Sequence, residues 1–327
     1  MDGGRAMSSS QTPSYSWTGP GVLLVLATAI ISGVSTFVNA YAVKGTSSDV
    51  FVTMRNLAVV GLLIPLAVLG ERRRRGLLRR DDWLRLVVIG LIGGAIPFLL
   101  FFHGLELATA AGGAAAASFG YRTLFLMATV LGVVVLRERL HGRVLLAAAL
   151  LLVGNALLLT LTGPVWTDGT LWVLAATGLW AAEYTISKRA LRDLPSTTVG
   201  FGRMGFGAMF LLAYLGLSGQ LGGISAMTGG QWEWAAISAA LLTAFVATWY
   251  AGLQRVEVGV ATSVLVLGFP ITWALSLAIK GGALDPLPAV GAAAVAVGVA
   301  VAIGLAQWRA TWTYVRTAFG IAGRPAS

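Results

Sequence analysis

The side chains able to do chemistry in this sequence are few, and most sit in apolar surroundings. Three arginines (Arg55, Arg122 and Arg203) and one carboxylate (Glu183) fall inside runs of about twenty apolar residues. An ionised group in such a run must line a solvent-filled path, pair with an opposite charge, or bond backbone carbonyls. Glu183 belongs to the set Trp180, Glu183, Tyr184 and Ser187, whose spacing of 0, 3, 4, 7 is one face of a helix. Ser32, Ser35, Thr36 and Asn39 repeat that spacing 148 positions earlier, the same interval that separates Arg55 from Arg203. A lipid-facing helix gains nothing from a polar stripe, whereas a helix lining a substrate pocket needs one.

Each of these residues admits more than one role. Ser118, Tyr121 and Arg122 share a helix face, so Arg122 either lines a cavity, holding a substrate carboxylate or phosphate, or pairs with a carboxylate. Arg55 and Arg203 are structural anchors at helix ends or gates that meet a substrate anion. Glu183 is a proton-coupling carboxylate, a fixed partner of Arg122 or Arg203, or a neutral hydrogen-bonded acid. Trp180 and Tyr184 are expected on a cavity wall with Ser35, Asn39, Ser118, Tyr121 and Ser187. Trp249 and Tyr250 are a further wall, a gate or an interfacial belt. His103 and Glu106, three residues apart, form a surface pair or a proton-handling gate, and Glu138 among arginines is expected to form a salt link. With no cysteine and two histidines there is no thiolate chemistry or histidine-rich metal site, and no glycine-rich stretch has the form of a phosphate loop. No cofactor and no metal is expected.

The elements that must position these residues follow from composition. Of 327 residues 57% are hydrophobic and 11% charged, against about 25% charged in soluble domains. Ten apolar segments can be drawn, at 20–43, 50–70, 84–104, 109–136, 142–162, 169–190, 197–218, 232–254, 258–280 and 287–308. The expected fold is an all-α polytopic membrane protein. Its parts are a disordered stretch at 1–19, a first five-helix repeat at 20–162, a linker at 163–168, a second repeat at 169–308, and a tail at 309–327 forming an interfacial helix. The net charge of +10 lies in short loops, which excludes nucleic acid as the partner it serves. Eighteen of the 23 Lys and Arg fall at one end of the segments, Lys44 and Lys280 at the other. Both termini are therefore expected in the cytoplasm, in a multi-pass protein of the cytoplasmic membrane. Five helices per copy is an odd number, so the second copy enters the membrane from the opposite side and the repeats are inverted.

The repeat can be followed further. Gly104-Leu105 matches Gly252-Leu253 at 148, whereas Glu138 and Gly154 match Gly282 and Gly298 at 144. The first copy thus carries four extra residues, expected within the run Gly112–Ser118. The counterpart of Arg122 is then Pro270 at the longer offset or Val266 at the shorter.

These residues resemble the drug/metabolite transporter superfamily, specifically its EamA-type members. The resemblance rests on Arg55 and Arg203 early in helices two and seven, Trp180-Ala181, Gly104-Leu105 before an Ala-containing run, Pro270 in helix nine, and Arg137-Glu138-Arg139-Leu140 after helix four. It departs at Ser32, where the family usually has Trp, and at Gly282. It implies ten helices in two inverted copies, with Pro270 at a gating or structural position, and a secondary transporter rather than an enzyme. The cargo would be small metabolites, amino acids or related compounds, exported by alternating access through a central cavity. The partners expected are a small-molecule substrate, the lipid bilayer and protons as coupling ion, with a homodimer compatible. A receptor or channel, and an intramembrane lipid-modifying enzyme, are the alternatives. The enzyme would need converging catalytic groups, and Glu183 is the lone acid deep in a segment.

Overall fold

In the computed structural model, residues 19–42, 47–72, 78–159, 164–280 and 284–318 are described, and every regular element among them is helical. The expectations for the N-terminal stretch through residue 18, Lys44, Gly282 and the end of the tail beyond 318 lie outside the described residues. The helices are α1 (Gly19–Ala42), α2 (Ser48–Arg72), α3 (Arg80–Ala110), α4 (Ala114–Arg122 and Leu124–Leu136), α5 (Gly142–Leu159), α6 (Asp168–Ala190), α7 (Ser196–Leu217), α8 (Gly229–Leu253), α9 (Val258–Leu265 and Gly268–Lys280), α10 (Pro286–Ile303) and α11 (Leu305–Ala318). The protein is an all-α polytopic membrane protein. Nine of the first ten helices are long and apolar enough to span a membrane among the described residues; α6 falls short because its run is interrupted by the tryptophans, threonines, Tyr184 and Glu183. Large apolar side chains such as Leu62, Val134, Leu145 and Leu217 point outward, as a lipid-facing surface requires, and Trp166, Trp312 and Tyr314 are exposed beyond the spans.

The strongest packing joins α3 to α6, α5 to α10, α1 to α8, α4 to α6, α3 to α7, α2 to α7 and α1 to α9, followed by α2 with α8. Exchanging every helix with the one five places along the chain turns this set of pairs into itself. The inversion is visible in side-chain pairs. Thr28 bonds Thr248 and Asn39 bonds Ser238, so α1 and α8 run antiparallel. Because α8 runs the same way as α6, α6 runs opposite to α1.

Glycines show the two registers directly. A Cβ at Gly104 would meet Trp172 and Val173 of α6, and one at Gly252 would meet Leu24 and Val25 of α1, the same contact displaced by 148. At the α5–α10 crossing, Gly154 rests on Val295 and Gly298 on Leu151, the same contact displaced by 144. The four extra residues are not in Gly112–Ser118 as expected. They form the last turn of α3, which runs to Ala110 where α8 has already ended, while α4 and α9 begin in register at Ala114 and Val258. Helix-favouring Glu106-Leu107-Ala108 carries α3 on until Gly112, whose φ of 74° closes it. The break of α4 at Thr123 then falls on the break of α9 at Val266–Leu267. Arg122 therefore answers to Val266, and the choice left open by the sequence is resolved against Pro270.

Candidate functional site

Between the two halves lies a cavity of about 840 Å³. The first repeat contributes its mouth, from the ends of α1 to α5 remote from the arginine-rich loops: Ser35, Thr36 and Asn39 late in α1, Arg55 early in α2, and Ser118, Tyr121 and Arg122 early in α4. The second repeat supplies the floor, with Trp180 and Tyr184 of α6, Arg203 of α7 and Phe269 of α9. Three guanidinium groups line it, with hydroxyls, the Asn39 amide and aromatic rings, and no carboxylate among the described lining residues.

The three arginines are held differently. Arg122 donates from Nη1 to Asn155 Oδ1 at 3.3 Å and lies over the Phe269 ring, 4.1 Å from its centroid. Asn155 is fixed in turn by donating to the Leu151 carbonyl. Arg55 donates from Nε and Nη2 to Asn56 Oδ1 at 3.3 and 3.1 Å and faces Phe98. Arg203 donates from Nη2 to the Gly93 carbonyl at 3.0 Å, and its Nε lies 3.5 Å from Glu183 Oε2. The Gly93 carbonyl is free for a local reason. Gly90–Ala95 is a π-helical stretch, and the residue four positions on is Pro97, which has no N–H to offer. Trp180 Nε1 donates to the same oxygen at 3.0 Å, so one orphaned carbonyl of α3 ties down both an arginine and a tryptophan of the other repeat.

A carboxylate closes the floor. Glu183 Oε1 accepts from Tyr250 Oη at 2.8 Å and from Ser187 Oγ, while Oε2 faces Arg203. Glu183, Ser187 and Tyr250 are fully buried.

A profile of the EamA-like transporter family matches residues 19–160 and again 167–304, one match for each repeat. The chain belongs to the EamA-like transporter family. It is a multi-pass membrane transporter of small molecules. Among solved structures, one titled only "Crystal structure of protein" superposes with a TM-score of 0.69 at 19% identity, covering 88% of this chain and 99% of that one; the likeness shows the shared fold. None of the curated proteins compared matches the chain.

In this EamA-like chain the structure brings Ser35, Asn39, Ser118, Tyr121, Arg122, Trp180 and Tyr184 to one cavity, joined by Arg55 and Arg203. Glu183 and Ser187 are placed behind the wall rather than on it. The four-residue stripe of α6 is wide enough for Trp180 and Tyr184 to face the cavity while Glu183 and Ser187 turn toward α3 and α8, where Gly93 leaves room for the Glu183 side chain. Trp249 and Tyr250 are buried rather than interfacial; Trp249 packs on Tyr184 with centroids 4.7 Å apart. Pro270 is half-buried and does not line the cavity, although its neighbour Phe269 does. His103 is exposed and edge-on to Trp172 at 5.7 Å, apart from the cavity. Asn56, Asn155 and the aromatic wall of Phe98, Phe101 and Phe269 were not anticipated. The two asparagines could have been noticed as lone amides in apolar helices; the phenylalanines carry no such signal.

The arginine-rich end is knitted by polar groups placed differently from expectation. Lys188 is a buried side chain near the end of α6, donating to the carbonyls of Leu253, the last residue of α8, and of Val256 in the turn that leads to α9. Among the described residues Glu138 forms no salt link with an arginine; its Oε1 accepts the Val258 N–H at 3.0 Å and so caps α9. Burial pushes the Glu138 carboxyl up against the lowering effect of that bond, and burial together with the nearby Glu138 pushes Glu257 up to about 7.

Proposed function

We propose that this chain is a secondary transporter of the cytoplasmic membrane that exports small metabolites, amino acids or related compounds among them, by alternating access. The observation carrying the reading is the cavity at the interface of two inverted repeats, with its mouth toward one end and a buried network across its floor. Inverted halves can exchange conformations, and exchange moves the opening from one face to the other. The positive-inside bias supports placing both termini in the cytoplasm, so the cavity faces outward. Arg122 serves as a substrate contact. Glu183 couples protons to transport, because a carboxylate that changes partners between the two states can carry one.

Proteoliposomes test this. The purified chain is expected to support counterflow of at least one member of a mixed metabolite set. Arg122→Ala is expected to weaken substrate binding by roughly tenfold or more, with Arg122→Lys intermediate because it keeps the charge and loses the planar fork. Glu183→Gln should retain counterflow and lose uptake driven by a pH gradient. Normal transport by a folded Arg122→Ala variant would remove that residue from the site. Equal pH-driven accumulation by Glu183→Gln would remove the proton carrier.

A further inference from the structure

The two copies are alike in plan but not in content, and the difference falls at one place. At the 148-residue offset Arg203 answers to Arg55, while Trp180, Glu183, Tyr184 and Tyr250 answer to Ser32, Ser35, Thr36 and Phe102. In the second copy these large side chains fill the space beside the arginine, and the Glu183 carboxylate lies 3.5 Å from it. In the first copy three small hydroxyl side chains leave that space open, and Ser32, Ser35, Thr36, Arg55 and Phe102 all border the cavity. Arg55 donates only to an amide oxygen among the described residues, that of Asn56. Arg122 likewise donates only to the amide oxygen of Asn155. Neither has a carboxylate partner among the described residues, so two guanidinium charges inside the span lack a counter-charge.

Resting on the transporter reading above, we infer that the substrate carries an anionic group, a carboxylate or a phosphate, which sits on Arg55 where Glu183 sits on Arg203. The substrate stands in for the side chain that the first copy lacks. Guanidinium groups take carboxylate and phosphate through paired N–H donors, and Arg55 has donors beyond those directed at Asn56. The molecule also carries an apolar group. It lies against a wall where Phe98 and Tyr121 meet Trp180 edge-on, each with centroids 5.4 Å apart, and Phe101 meets Tyr121 at 5.1 Å. Organic cations are disfavoured, because Phe98 and Phe269 already face arginines and no carboxylate lies among the described lining residues.

The test measures binding, not transport, on the full chain in detergent by titration calorimetry. The probes are indole-3-acetate and phenyl phosphate as anions, with tryptophol as neutral and tryptamine as cationic counterpart. At least one anion is expected to bind about tenfold or more tightly than tryptophol or tryptamine; which anion does so tells carboxylate from phosphate. Ser35→Glu supplies from within the carboxylate that the first copy lacks. It should weaken anion binding about tenfold or more without lowering the melting temperature, whereas Ser35→Gln, of the same size and neutral, keeps the anion preference. Arg55→Gln should abolish the preference and decides the matter should Ser35→Glu fail to fold. Unchanged anion binding in folded Ser35→Glu or in Arg55→Gln, equal losses in Ser35→Glu and Ser35→Gln, or wild-type preference for tryptophol or tryptamine would each overturn the inference. None of these outcomes affects counterflow of other solutes, on which the transporter reading stands or falls separately.

Discussion

An arginine at the centre of a membrane helix costs roughly 2.5–3.5 kcal/mol by insertion scales, and this chain carries three within its spans. The sequence made them conspicuous, because a charge in an apolar run needs an explanation at its own position. It did not show their partners. Whether Arg203 meets Glu183 or a carbonyl depends on helix rotation and on a bulge at Gly90–Ala95, neither of which leaves a periodic trace. Glu183 was visible as an acid in a polar stripe, but three residues of helix turn a side chain far enough to exchange a cavity for a buried network. Outside the span, Glu257 gives a pH signature. Its carboxyl rises to about 7 in the fold through burial and the Glu138 charge, opposed by Arg143 and Lys188. Folding therefore takes up a proton. The resulting stability is fully present below the unfolded value of about 4.3 and is lost as pH rises through about 7. Glu257→Gln, which resembles the protonated acid, should match the wild type in melting temperature near pH 4 and exceed it above about pH 8. A difference unchanged across that range would contradict the assignment.

At the scale of elements, the helices owe their arrangement to places where side chains are missing. Gly154 and Gly291 let α5 and α10 touch backbone to backbone, and Gly94 and Gly207 do the same for α3 and α7. Segment number, period and the 148 and 144 offsets were all legible, since apolar length and glycine spacing are properties of the chain itself. The position of the extra turn was not. It depends on how far α3 continues before Gly112 stops it, which is a contest of helix propensity against a turn rather than a pattern. A Cβ at Gly154 would lie 2.8 Å from the Gly291 carbonyl oxygen, whereas one at Gly61 meets nothing within 4 Å. Gly154→Ala should therefore destabilise by about 1–3 kcal/mol through overpacking. Gly61→Ala should be neutral or stabilise by up to about 1 kcal/mol through helix propensity. Thermal unfolding of the two variants in one detergent compares them directly; similar melting temperatures would mean that the α5–α10 crossing yields easily.

At the scale of the molecule, a chain without cysteine lends itself to labelling one position at a time. On the proposed orientation, with both termini inside, a cysteine replacing Trp166 should react with an impermeant maleimide from outside and one replacing Thr313 only after permeabilisation. Labelling of both from one side would refute the inverted arrangement. A cysteine at Thr36, on the exposed rim of the cavity, should react from outside, and less so when Glu183→Gln is added. The reason for that last expectation lies in the unduplicated ion pair. A transporter made of two identical inverted halves would be its own mirror in time, resting equally often toward either side. Here Glu183, bonded to Tyr250 and facing Arg203, is the lock proposed for the floor of one copy, and Ser35 and Phe102 take the corresponding places in the other. Every 1.4 kcal/mol by which that lock favours one orientation makes it about tenfold more populated. On the proposed alternating access, one carboxylate present in one copy and absent from the other gives a molecule built by duplication a preferred waiting posture.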